Sequence, residues 1–117
     1  MREIKFRAWC NIENKMYKKF YIEDHLKFAF MDELIRSAQE RYTLMQFVGL
    51  KDKNGIEIYE GDIVKRKHFG SFEKFEVVFS VGFFLKDDAG ELWGIDSVDG
   101  TEVVGNVFEN PNWNTEL

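Results

Sequence analysis

The first residues of the chain alternate between hydrophobic and polar side chains. In EIKFRAW at 3–9, Ile4, Phe6 and Ala8 fall on one face, and this period of two is typical of a half-buried strand. The turn-forming stretch NIENK follows, and MYKKFYI at 16–22 can return as a second strand. The pattern therefore predicts an N-terminal β-hairpin.

A helical period appears next, in FMDELIRSAQERY at 30–42. Acidic Asp32 and Glu33 lie near its start and Arg36 and Arg41 lie toward its end, as the helix dipole favours. Its hydrophobic residues share one face: Leu34, Ile35, Ala38 and Tyr42. We predict one short helix here.

From residue 43 onward the pattern favours strands separated by turns. TLMQFVGL at 43–50 is rich in strand formers, and Asn54-Gly55 predicts a two-residue type I′ hairpin turn with φ > 0 at both positions. EIY at 57–59 is a strand, EGD a turn and IVK at 63–65 a strand. Asp62 is expected to close that turn by accepting backbone N–H groups.

The C-terminal half continues this pattern. FEKFEVVFSVGFFL at 72–85 is strand-like, with Gly82 marking a bulge or sharp bend. Then come the turn DDAGE, the strand LWGIDSV at 92–98, the turn DG and the last strand, TEVVGNVF at 101–108, with Pro111 ending the ordered chain. We therefore predict a mainly β protein with one short helix: an N-terminal hairpin and helix over 1–43 and a small barrel over 44–117, together forming one compact unit.

Composition fits a single intracellular domain. The 117 residues are 44% hydrophobic, which is enough for a core. The single cysteine, Cys10, excludes an internal disulfide and a Cys-rich zinc site, and it is expected to pack at a strand end. The N-terminal residues lack a signal-peptide pattern and no apolar run is long enough for a bilayer, so we expect a cytoplasmic protein without membrane contact.

Charge is divided unevenly along the chain. Residues 1–70 hold 14 Lys/Arg against 11 Asp/Glu, whereas residues 71–117 hold 2 against 10. The acidic C-terminal part opposes nucleic-acid binding over the whole surface, because it repels phosphates. The basic stretch KRKHFG at 65–70 is an alternative site: in a loop after the GDIV strand, Lys65, Arg66, Lys67 and Phe69 could contact a nucleic acid.

The acidic residues between 52 and 62 do not match a known site. An EF-hand loop that starts at Asp52 would need its glycine at position 6, but Gly55 stands at position 4. Glu57, Glu60 and Asp62 raise the hypothesis of paired catalytic carboxylates, although alternation with isoleucines favours a solvated strand face. His25 and His68 have no third ligand at metal spacing. We predict no enzyme, metal or cofactor.

The aromatic residues of the C-terminal half outnumber what one face of a small barrel can bury. They are Phe72, Phe75, Phe79, Phe83, Phe84 and Trp93. They could fill a core shared with the N-terminal hairpin, or form an exposed hydrophobic patch. The second interpretation predicts a protein partner or a homo-oligomer.

Three stretches together resemble the YopX family of phage and prophage proteins: REIKFRAW at 2–9, LMQFVGLKDKNGIEIYEGDIVK at 44–65 and EVVGNVFENP at 102–111. The resemblance implies a small phage- or prophage-encoded protein with an SH3-type β-barrel, and it brings no catalytic residues. Cys10 stands where the family usually has an acidic residue. The residues that carry the resemblance, each expected to have a structural role, are Trp9, Gly49, Leu50, Asp52, Asn54, Gly55, Tyr59, Gly61, Asp62, Gly105 and Asn106.

Pattern and resemblance together predict a non-enzymatic phage accessory protein that binds a protein partner or itself. The alternative function is nucleic-acid binding through the basic residues at 65–68.

Overall fold

The computed structural model describes residues 5–20, 41–68, 70–95 and 100–114, and it describes only the backbone at Lys19, Phe20 and His68. Most of the helix predicted over 30–42 lies outside these ranges, as do His25, Phe69 and Asp99. The end of that prediction is wrong, because Tyr42 begins a strand.

The described part of the chain is mainly β and contains no helical element, and it includes a sheet that is strongly curled into half a barrel. Nine strands lie in these ranges: β1 Phe6–Cys10, β2 Lys15–Phe20, β3 Tyr42–Lys51, β4 Glu57–Tyr59, β5 Asp62–His68, β6 Ser71–Phe79, β7 Phe83–Lys86, β8 Leu92–Gly94 and β9 Glu102–Asn106. No helix within the described residues has the length and hydropathy needed to cross a membrane.

Backbone contacts divide the chain into two units, Met1–Phe47 and Val48–Leu117. In the first unit β1 lies antiparallel between β2 and β3, and the predicted hairpin is confirmed by a turn at 11–14 in which Asn14 N donates to Cys10 O at 2.9 Å. Ala8, Cys10, Met45 and Phe47 are buried in this unit. The boundary expected after residue 43 stays a prediction.

The second unit holds an antiparallel five-stranded sheet in the order β8-β7-β6-β5-β9. Strands β5 to β8 follow one another as hairpins, and β9 returns to the free edge of β5. Inward-facing residues of these strands and of β3 and β4 form one core, because alternate residues of a strand share a face. The core residues are Val48, Ile58, Val64, Phe75, Val77 and Leu85, each at most 2% exposed.

The turn at Asn54-Gly55 is present, but the predicted type I′ geometry is wrong. Gly55 has φ 81°, whereas Asn54 does not have a positive φ. Gly55 N donates to Asp52 O at 3.0 Å and Asp52 N to Ile56 O at 2.7 Å, which makes a three-residue connection with glycine in the left-handed region.

Two other predicted turns are confirmed. The bend expected at Gly82 is the connection between β6 and β7, since Phe79 pairs with Phe83. In the DDAGE turn, Asp87 N donates to Glu91 O at 2.9 Å, and Asp87 Oδ1 accepts from Ala89 N and Glu91 N. Trp93 Nε1 donates to Asp87 Oδ2 at 3.0 Å, and this bond lowers the pKa of Asp87 below its ordinary value.

Order continues past Pro111, contrary to the prediction. Strand β9 ends at Asn106, and the chain then turns, with Asn110 N donating to Asn106 O at 2.8 Å and Trp113 N to Asn110 O at 3.2 Å. Trp113 is only 7% exposed. A buried indole after the proline keeps the chain packed as far as residue 114.

Candidate functional site

Asp52, one of the resemblance residues, is a buried carboxylate that serves three backbone donors. Its Oδ1 accepts from Asn54 N at 2.8 Å and Ile56 N at 2.9 Å, and its Oδ2 accepts from Val103 N at 2.9 Å. Burial raises the pKa of Asp52, but these three bonds outweigh burial and hold it below its ordinary value of 3.8. The side chain therefore joins the turn after β3 to the start of β9.

Asp62 organises the next turn, between β4 and β5, as the sequence predicted. It is 1% exposed, and its Oδ2 accepts from Tyr59 N at 2.8 Å. Gly61, at φ 86°, donates its N–H to Val77 O and accepts from Val107 N through its carbonyl. Three segments of the second unit thus meet at one glycine.

The third resemblance stretch forms a compact turn after β9. Asn106 Oδ1 accepts from Phe108 N at 3.0 Å and Glu109 N at 2.9 Å, and Asn110 Oδ1 accepts from Asn106 N at 3.2 Å. Gly105 leaves room for this arrangement, since a Cβ at that position would overlap Asn110 Oδ1. A steric reason thus accounts for glycine at 105.

The remaining resemblance residues are also placed by the backbone. Trp9 and Tyr59 are buried, Leu50 packs against the core, and Gly49 has φ 95° within β3. Asn54 and Gly55 are exposed at the turn. The burial and backbone positions of these residues correspond to structural roles in turns, in strand β3 and in packing of the interior.

Of the three carboxylates at 57, 60 and 62, only Asp62 is buried, whereas Glu57 and Glu60 are half-buried. Asp62 is engaged with Tyr59 N, so its carboxylate holds the turn. Among the described residues no three His, Cys, Asp or Glu side chains come together as a metal site. The catalytic use of this trio stays a hypothesis.

Cys10 is fully buried at the end of β1, as expected, and contacts Glu13 in the following turn. Glu13 N donates to Cys10 Sγ at 3.4 Å, and the thiol donates to Glu13 Oε1 at 3.6 Å. The hydroxyl of Tyr17 lies 2.9 and 3.0 Å from the two oxygens of Glu13, and this hydrogen bond raises the pKa of Tyr17 above 10.0. These contacts stabilise the β1–β2 hairpin.

The basic residues at 65–67 lie on strand β5 and not in a loop, so that part of the prediction is wrong. Because side chains alternate along a strand, Lys65 and Lys67 share one face, whereas Arg66 falls on the face of the core residue Val64. The β5–β6 register pairs Lys65 with Lys74, Arg66 with Glu73 and Lys67 with Phe72. The hairpin thus separates Arg66 from the two lysines.

The same pairing adds two residues that the sequence analysis did not assign to this site. Lys74 and Phe72 lie opposite Lys65 and Lys67, and Phe72 is 64% exposed. Lys65 Nζ lies 5.0 Å from the centroid of the Phe72 ring. The alternation of FEKFE, together with a hairpin turn at Gly70, would allow Phe72 and Lys74 to be predicted on this face.

A hydrophobic group lies at the end of the β6–β7 hairpin. Phe79 is 58% exposed, Val81 is 99% exposed, and the Phe79 and Phe83 rings meet edge to face at 5.3 Å. Val81 has φ 53°, a left-handed conformation that is rare for a β-branched residue. We call Phe79, Val81 and Phe83 the hairpin tip.

A family model described as "YopX protein" matches residues 5–113. The chain belongs to the YopX family. The matched range contains all eleven residues that carry the resemblance, from Trp9 to Asn106. It therefore also contains the turns of Asp52, Asp62 and Asn106.

A solved structure is similar over nearly the whole YopX-family chain. The crystal structure of protein EF1440 from Enterococcus faecalis shares 25% sequence identity with it at a TM-score of 0.64, and the similarity covers 95% of this chain and 97% of that one. No curated protein matches the chain significantly.

Proposed function

We propose that this YopX-family chain is a non-enzymatic accessory protein of a phage or prophage that binds a protein partner or a second copy of itself. Its second unit is proposed to be an SH3-type β-barrel, which the curled five-stranded sheet supports. The host cytoplasm is the proposed location, where the single thiol of Cys10 stays reduced.

The observation that carries the proposal is the hairpin tip. Val81 combines almost complete exposure with a strained backbone, and neither property stabilises the fold. Phe79 is on the same strand face as the core residues Phe75 and Val77, yet it is 58% exposed. A hydrophobic surface at the end of a hairpin is suited to burial against another protein.

The test replaces Phe79 and Val81 by serine in one variant. Its matched control replaces two exposed hydrophobic residues at other turns, Ile12 and Ile56, by serine. We expect the parent protein either to self-associate in light scattering at micromolar concentration or to co-purify a specific protein from induced host cells. The tip variant should lose that association and the control should keep it.

Two results would contradict the proposal. One is a parent protein that stays monomeric and captures no protein. The other is an association that survives the tip substitutions but is weakened by the control substitutions, because binding would then involve another surface.

A further inference from the structure

The outer face of the β5–β6 hairpin gathers three lysines around an exposed aromatic ring. Lys65 and Lys67 are two residues apart on β5, which separates them by about 6.6 Å along the strand. Lys74 and Phe72 are their cross-strand partners on β6. We call these four residues the lysine face.

This basic face lies in an acidic part of the chain. Residues 48–117 contain 7 Lys/Arg and 14 Asp/Glu, a net charge of −7. Two glutamates share the strand face of these lysines. Glu102 is the cross-strand partner of Lys65, and its Oε2 lies 3.6 Å from Lys53 Nζ. Glu76 is two residues from Lys74 on β6, and its Oε1 lies 3.6 Å from Lys86 Nζ. Each of these two acids therefore has a lysine outside the lysine face within ion-pair distance.

The aromatic residue determines which polyanion fits. Phe72 is 64% exposed, and the ammonium group of Lys65 lies over its ring. A flat exposed ring beside positive charge matches a base attached to phosphates. A duplex keeps its bases stacked inside, and an acidic peptide offers no planar base for the Phe72 ring.

We propose that the lysine face binds single-stranded nucleic acid, with Lys65, Lys67 and Lys74 contacting phosphates and one base stacked on Phe72. This function is separate from protein binding at the hairpin tip, because the two surfaces share no residue. The two activities can therefore be tested independently.

The experiment measures fluorescence anisotropy of a labelled oligothymidylate of about 16 nucleotides. With three phosphate contacts, each contributing about −0.7 to the slope of log affinity against log salt, we expect about a 20-fold loss between about 50 and 200 mM salt. Replacing Lys65, Lys67 and Lys74 together by alanine should weaken binding at least tenfold and flatten this slope by about 0.7 per lost charge.

A matched control separates local contacts from total charge. Replacing Lys15, Lys18 and Lys51, all exposed, by alanine removes the same charge from other strands. This control should bind within about twofold of the parent, because none of its three lysines belongs to the lysine face. Melting followed by circular dichroism checks that every variant is folded, and Lys67→Ala replaces the triple variant if that one fails to fold.

The ring has its own test. Phe72→Ala should lose roughly 5- to 150-fold in affinity, whereas Phe72→Trp should retain binding because indole also stacks on a base. A duplex of the same length should bind more weakly, and Phe72→Ala should not change its affinity. The variant with serine at 79 and 81 should bind the oligonucleotide like the parent.

Four results would overturn the inference. They are no binding at low salt, equal losses for the two lysine triples, an affinity unchanged in Phe72→Ala, and displacement of the oligonucleotide by polyglutamate at equal charge concentration. The last result would assign the face to acidic proteins.

Discussion

At the scale of single residues, Asp52 connects segments that lie 51 residues apart in the chain. Buried backbone N–H groups need an acceptor, and this carboxylate supplies one to Val103 as well as to two donors of its own turn. Asp62 and Asn106 serve other turns in the same way. Polar residues in the family stretches thus satisfy backbone donors.

Asp52→Ala should lower the free energy of unfolding by about 2 kcal/mol, because Val103 N then loses its acceptor while water can reach the exposed turn at 54–56. Urea denaturation measures the difference. Asp88→Ala, which removes an exposed carboxylate from the β7–β8 turn, is the control and should stay within about 0.5 kcal/mol of the parent. Equal losses in both variants would contradict the assigned role.

The same residue predicts a pH dependence. The pKa of Asp52 is lower in the folded chain than its ordinary value of 3.8, so the folded state favours the charged form. The resulting stabilisation is complete above the unfolded pKa and is lost as pH falls through the folded pKa. The stability difference between the parent and Asp52→Asn should therefore be constant near neutral pH and shrink below about pH 4. A difference that grows on acidification would reverse the assignment.

Gly105 and Asn110 form a pair that a double-mutant cycle can test. Gly105→Ala displaces the Asn110 side chain and removes its bond to Asn106 N, which should cost about 1 kcal/mol. In an Asn110→Ala background this bond is already absent, so adding Gly105→Ala should cost much less. Thermal or urea unfolding of the four proteins gives the coupling. Additive losses would mean that glycine at 105 has another cause.

At the scale of elements, the β6–β7 connection ends in exposed hydrophobic residues, and the left-handed backbone at Val81 lowers its stability. An ordinary residue in the left-handed region costs about 1–2 kcal/mol, and Asn tolerates that region better than Val. Val81→Asn should therefore stabilise the chain by about 1 kcal/mol and raise Tm by about 4 °C. Ser80→Asn, one residue earlier and without a positive φ, should give no increase.

This substitution also separates fold from function. Because Val81→Asn removes hydrophobic surface from the hairpin tip, it should weaken protein binding while it raises Tm. A variant that melts at or below the parent temperature would show that Val81 contributes to the fold. A variant that is stabilised but binds fully would place the contact on Phe79 and Phe83.

Most strands were predictable because their signals are local. Alternation in EIKFRAW and the turn residues of NIENK gave the first hairpin, and DDAGE gave the β7–β8 turn. The type of turn at Asn54-Gly55 was missed because Asp52 binds Asn54 N and Ile56 N and thereby favours a longer connection. That choice depends on burial of Asp52, which a local pattern does not contain.

The strand position of Lys65 and Lys67 was missed for a related reason. The sequence pattern predicts that β5 ends at its charged residues, but its pairing with β6 continues to His68. In a hairpin, cross-strand partners stabilise even polar strand ends. The lysine face could therefore not be predicted from the sequence of β5 alone, because Lys74 and Phe72 join it only through the pairing of β5 with β6.

At the scale of the whole molecule, the hairpin tip and the lysine face both belong to the second unit, Val48–Leu117, which also contains the core cluster from Val48 to Leu85. The net charge of these residues gives no indication of the lysine face, because a net charge of −7 coexists with three lysines on one strand face. Composition reports the sum of charges, whereas binding depends on their distribution over the surface.

The last prediction concerns the independence of the second unit. A fragment of residues 48–117 retains its whole core and the bond from Asp52 to Val103, so it should unfold cooperatively in urea. Its stability should be only a few kcal/mol, since about 70 residues bury a small core. A fragment of residues 48–100 lacks β9 and should be unfolded. Comparison with residues 44–117 tests the sequence-based boundary: a large gain in stability from residues 44–47 would favour the boundary after 43, and equal stability would favour the boundary after 47.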